Sequence, residues 1–101
     1  MKEGEMMRAK KMRDLIYAFK SAEECKAKYI AVAIQSEDLD GLEIIINPSE
    51  NFTAKQSYYL KAYDNELVLK ACNKIKIAGI AYGNTVSETF DILKAVMDIE
   101  L

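Results

Sequence analysis

The chain has 101 residues, half of them apolar and 30% charged, with a formal net charge of −2; that is the size and balance of one self-folding domain, outside the range of disordered chains. Histidine is absent, which excludes Ser-His and Cys-His nucleophiles and histidine-dependent zinc sites. Two cysteines, Cys25 and Cys72, form neither a CxxC pair nor a disulfide framework and read as reduced core or boundary thiols. With no long apolar run and no signal-peptide pattern, the expectation is a cytoplasmic protein with no membrane partner.

Residues 8–28 predict an amphipathic helix, because Met12, Leu15, Ile16, Phe19 and Ala22 recur at three- and four-residue spacing. The stretch before it, Met1 to Met7, lacks that pattern and is expected to be a frayed extension, reaching at most to residue 11, that continues the helix only under a partner. Tyr29 to Gln35 and Leu42 to Ile46 are β-rich runs joined by the turn residues Ser36-Glu37-Asp38-Leu39-Asp40-Gly41, which predicts a hairpin. In the first run Ile30, Val32 and Ile34 face one way and Ala31 and Ala33 the other. That alternation predicts a central strand with its small residues beneath a helix.

Asn47-Pro48-Ser49-Glu50 is a helix-start signal with Asn47 as cap and Pro48 at the first helical position. The helix is expected to run to about Asp64, with Phe52, Tyr59, Leu60 and Tyr63 inward and Lys55, Tyr58 and Lys61 outward. Leu67 to Ala71 and Ile75 to Tyr82 predict a second hairpin, the first segment having a helical continuation as its alternative. Gly79 marks a bulge or a close helix approach. Thr85-Val86-Ser87-Glu88 is a capping box ahead of a last helix bearing Phe90, Leu93, Val96 and Met97. The order is α-β-β-α-β-β-α. It places the chain in the α+β class as a single domain over residues 1–101, with a mostly antiparallel sheet and the helices packed on one face.

Charge is uneven. Residues 1–28 carry eight Lys or Arg against five acidic residues and the remainder six against eleven, about +3 and −5 respectively. Arg8, Lys10, Lys11 and Arg13 are therefore candidate contacts to nucleic acid or to an acidic partner, although a solvated helix face explains them more simply and the overall charge opposes strong phosphate binding. Among the six tyrosines, Tyr58, Tyr59, Tyr63 and Tyr82 are candidates for a pocket or an interface, though most of them read as core or boundary residues, and Tyr58 leads because its neighbour Tyr59 already occupies the apolar stripe. Asn84 and Thr85 sit at a helix start where free N–H groups can hold an anion, but capping uses the same donors. The acidic turn Glu37 to Gly41 has its glycine too early for a calcium loop and reads as a solvated hairpin tip that presents negative charge to a basic partner. The sequon Asn51-Phe52-Thr53 reads as coincidence within a helix.

Lys28-Tyr29-Ile30-Ala31-Val32, the segment from Glu43 through Asn47-Pro48-Ser49-Glu50-Asn51-Phe52 to Tyr63-Asp64, and Ile75-Lys76-Ile77 through Tyr82-Gly83 together resemble small uncharacterised proteins of bacteriophages and mobile elements in Gram-positive anaerobic bacteria. The likeness spans about two-thirds of the chain. The pattern begins near Met12, so the residues before it depart from it. The resemblance implies an accessory role, antagonism of a host defence system by binding a protein or sequestering a small molecule, and it supplies no functional residues. The combined expectation is a non-catalytic binding protein that needs no cofactor and no metal and inhibits a host protein by direct contact. Its alternatives are a nucleic-acid-associated accessory protein using the basic N-terminal helix and an oligomeric small-molecule-sequestering protein with its pocket near Tyr82 to Thr85. A homo-oligomer is open in every case.

Overall fold

In a computed structural model that describes residues 6–97, with side chains from residue 9, the elements run β1 (Met6–Arg8), α1 (Met12–Glu24), β2 (Tyr29–Ser36), β3 (Leu42–Pro48), a 3-10 turn (Ser49–Asn51), α2 (Phe52–Ala62), β4 (Ile75–Gly83) and α3 (Val86–Met97). The strands form one antiparallel sheet in the order β1-β4-β2-β3. The α+β class and the antiparallel sheet are as the sequence predicts.

The alternation in β2 organises everything else. Its bulky residues Ile30 and Val32 enter a core with Leu15 and Phe19 of α1, Phe52 and Tyr59 of α2, and Tyr82 of β4. Its small residues Ala31 and Ala33, with Ala81, lie under Leu93 of α3. Successive strand residues point to opposite faces, so α1 and α2 cover one face and α3 the other. This corrects the expectation of helices on one face, and the reason is the alanine row, which leaves room for a helix that a bulkier row would push away. Gly79 serves both roles assigned to it. A Cβ there would run into the Met97 sulfur of α3, and the β2–β4 register shifts beside it, between Ala33 and Ile34.

Other boundaries move for local reasons. The first helix begins at Met12, not residue 8, because the Asp14 carboxylate accepts the backbone N–H groups of Lys10 and Lys11, each at 2.9 Å. It ends at Glu24 because Lys26 adopts a left-handed backbone (φ 59°) and Ala27 donates back to Ala22 at 2.9 Å, a Schellman closure. Met6 and Met7, expected in the frayed extension, and Arg8, expected at the start of the helix, instead form β1 and pair with Gly79 to Ala81; residues 1–5 of the extension lie outside the described residues. Asn47 and Pro48 belong to β3, so Asn47 caps no helix and α2 starts at Phe52.

The expected strand at Leu67 to Ala71 does not form. Asp64 Oδ1 accepts the N–H groups of Glu66 at 2.8 Å and Val68 at 3.0 Å, and Leu67 takes a left-handed backbone (φ 64°) that drives its side chain into the core. A strand cannot continue through that conformation. One isolated bridge, Val68 with Lys76, remains of the predicted pairing, and a second joins Leu69 to Tyr63 at the end of α2.

Candidate functional site

A groove of about 420 Å³ lies between the β2–β3 hairpin and α2. Ile34 and Ile45 form its floor, because both project from the face of the sheet that α1 and α2 cover: Ile45 stands opposite Val32, and Glu43 opposite Ile34. Tyr58 and Tyr63 of α2 and its end supply one wall, and Leu39 and Asp40 of the hairpin tip supply the other. Two large apolar side chains that burial should have claimed are left out at this groove, Leu39 at 72% exposure and Tyr58 at 49%. Asp40 and Glu43 are also exposed, so an apolar floor is ringed by carboxylates.

The tyrosines form a connected cluster of edge-on and tilted rings. Tyr59 is buried behind Tyr58 and Tyr63, with ring centroids 5.3 Å and 5.8 Å away, and Lys55 Nζ sits 5.2 Å from the centre of the Tyr58 ring. Burial pushes the Tyr59 phenol well above its ordinary range, and the neighbouring Tyr63 and Tyr58 phenols and the Glu43 carboxylate add to it. Tyr63 is raised by the same causes, burial first and then Tyr58 and Glu43. The Tyr59 hydroxyl is fully buried and has no hydrogen-bond partner among the described residues. The Tyr59 and Tyr63 phenols therefore stay neutral at physiological pH.

Of the residues singled out in the sequence, Tyr58 and Tyr63 and, from the acidic turn, Leu39, Asp40 and Gly41 line this groove. Tyr82 is buried, its hydroxyl 3.9 Å from the Cys25 sulfur, and with Asn84 it borders a shallow depression of about 290 Å³. Two of the N–H groups at that helix start are already occupied: Asn84 donates to the Glu88 carboxylate at 2.7 Å and Glu88 donates to the Thr85 hydroxyl at 3.0 Å. The basic residues are dispersed. Arg8 is in β1, Lys10 is in the link, Lys11 precedes α1 and is paired with Glu66 at 2.9 Å, and Arg13 alone is within the helix. Cys25, read as a core or boundary thiol, is exposed, and Cys72 is half-buried.

A larger hollow of about 670 Å³ is bounded by Ala9 and Met97, at the limits of the described side chains, and carries mixed charge from Lys10, Glu66 and Lys76. Among the described residues no three His, Cys, Asp or Glu side chains converge as a metal site, and no helix is long and apolar enough to cross a membrane. Glu43 and Ile45 were not singled out as site residues, and Leu39 and Asp40 only as part of the acidic turn. The available signal was Leu39 itself, an apolar residue in the middle of an acidic turn. Comparison with protein-family models, curated proteins and solved structures gave no match.

Proposed function

We propose that this protein is a non-catalytic binding module that takes a short segment of another protein, apolar with a flanking Lys or Arg, into the groove between the hairpin tip and α2. The observation that carries this reading is the convergence of exposed Leu39 and Tyr58 on an apolar floor rimmed by Asp40 and Glu43. Clustered exposed apolar groups with an aromatic anchor are what interfaces use, and the carboxylates select the charge of the partner. Inhibition of a host defence protein is the form of that activity implied by the resemblance to bacteriophage and mobile-element proteins, and it rests on that resemblance alone.

The test is selection of a random peptide library on the immobilised protein. Enriched peptides should combine an aliphatic or aromatic residue with Lys or Arg, and Leu39→Asp together with Tyr58→Ala should weaken their binding by at least about tenfold, or 1.4 kcal/mol. Binding should also weaken with added salt. Peptides that bind the double variant as tightly as the wild-type chain would overturn the proposal.

A further inference from the structure

The free backbone edge of the hairpin, which shares Glu43 and Ile45 with the groove, leads to a second partner. β3 is an edge strand: it pairs with β2 on one side and with no other described strand. It pairs without a break over seven residues, from Tyr29 opposite Pro48 to Gln35 opposite Leu42, whereas the opposite edge, β1, has three residues. Natural edges of that length are usually guarded by lysines, an internal proline or a bulge. β3 has none of these; its one charge is Glu43, and Pro48 is its last residue. Ile44 and Ile46 are half-buried, because α3 packs over β4, β2 and β1 and leaves β3 at the margin of its cluster, and Ile45, on the other face, is half-buried in the groove.

We infer that β3 pairs antiparallel with β3 of a second copy of this chain, about a twofold axis through Ile45. The strand is self-complementary in that register. Ile44 stands opposite Ile46 of the other copy, Glu43 opposite Asn47, and Leu42 opposite Pro48, so all seven residues are paired and no like charges meet. A twofold normal to the sheet keeps each face continuous, so residues of one parity must pair. Centring on Ile44 sets Glu43 against Ile45, centring on Ile46 leaves Glu43 beyond the strand, and centring on Glu43 opposes two carboxylates.

An independent observation favours the Ile45 register. Asn47 is 8% exposed and its side-chain NH₂ has no hydrogen-bond partner among the described residues. Directly opposed residues bring their Cβ atoms to about 5 Å, within reach of a hydrogen bond from the Asn47 amide, after side-chain rotation, to the Glu43 carboxylate of the other copy. The pairing thus supplies an acceptor for an orphaned donor twice, once on each side of the axis.

The experiment is the mass of the full chain across a concentration series by light scattering after gel filtration. A dimer, twice the 11.4 kDa of the chain, is expected at micromolar concentration. Asn47→Asp, which sets two carboxylates against each other, should weaken dimerisation about tenfold or more, and adding Glu43→Lys should restore it to within about threefold of wild type. If Asn47→Asp does not fold, Ile45→Cys in a Cys25→Ser, Cys72→Ser background should oxidise to a covalent dimer across the axis, and failure to cross-link overturns the inference. A wild-type chain that stays monomeric up to about 1 mM, a folded Asn47→Asp variant that dimerises as wild type, or a loss that Glu43→Lys does not rescue each overturns it as well.

Discussion

Replacing Tyr59 by Phe isolates one atom in the centre of the protein. The Tyr59 ring packs against Phe19 at 6.3 Å, as well as against its two tyrosine neighbours, and a phenylalanine keeps all three contacts. What is lost is a buried hydroxyl with no described hydrogen-bond partner, and an unpaired buried hydroxyl costs about 1–3 kcal/mol. Against this stands the small void left by one oxygen, so Tyr59→Phe should gain about 1 kcal/mol at pH 7. Its effect at alkaline pH should be larger. Because the folded phenol is held above the ordinary value of about 10, its stabilising contribution is complete below that value. Above it the unfolded chain releases a proton that the folded chain retains. Stability therefore falls as pH rises, by about 1.4 kcal/mol per pH unit from this group, until the folded phenol also ionises. Tyr59→Phe removes that component, while Tyr63, shifted in the same direction, retains its own. Urea unfolding followed by far-ultraviolet circular dichroism at pH 7, 10 and 11 measures both effects. A variant less stable than wild type by more than about 1 kcal/mol at pH 7, with the same alkaline slope, would refute the reasoning.

Three further outcomes are expected. Lys26→Gly should stabilise the protein by about 0.5–1 kcal/mol in urea melts, because the left-handed residue that closes α1 is exposed and glycine adopts that conformation without strain. Gly83→Ala should cost about 1–3 kcal/mol and more than Gly79→Ala. Its Cβ would meet the Thr89 hydroxyl at 2.8 Å and the Glu88 carboxylate at 3.1 Å, both fixed by the hydrogen bonds that start α3, whereas the Met97 side chain over Gly79 can swing aside. Tyr58→Ala should reduce peptide binding while lowering stability by less than about 1.5 kcal/mol in the same melts, since Tyr58 contributes an exposed aromatic edge and one cation–π contact, not core volume.

The parts of the fold visible in the sequence were those governed by neighbours along the chain. Period-two alternation from Ile30 to Ile34 located the central strand and the helix above its alanines, and Thr85 with Glu88 located the start of α3. The helix reading at Asn47 and Pro48 failed because the β2 ladder claimed both residues, a tertiary contact that outweighs a capping preference. Leu67 failed as a strand residue for a related reason: the Asp64 side chain takes two backbone donors and the core takes the leucine, and together they hold a backbone conformation that propensity disfavours. The groove was legible only in pieces, Tyr58 as a spare aromatic and Glu37 to Gly41 as an acidic turn. Their meeting depends on the hairpin tip folding toward α2, and the self-complementarity of Leu42 to Pro48 acquires meaning only once β3 is known to be an edge.

The binding reading is tested most directly by titrating the isotope-labelled chain with the best peptide from the library selection and mapping amide chemical-shift changes. The account predicts that the largest changes fall on Leu39, Asp40, Glu43, Ile45, Tyr58 and Leu69, which line the groove, while Lys10 to Arg13 and Tyr82 to Thr85 stay unmoved. Changes centred on either of those two segments, with the groove silent, would contradict it.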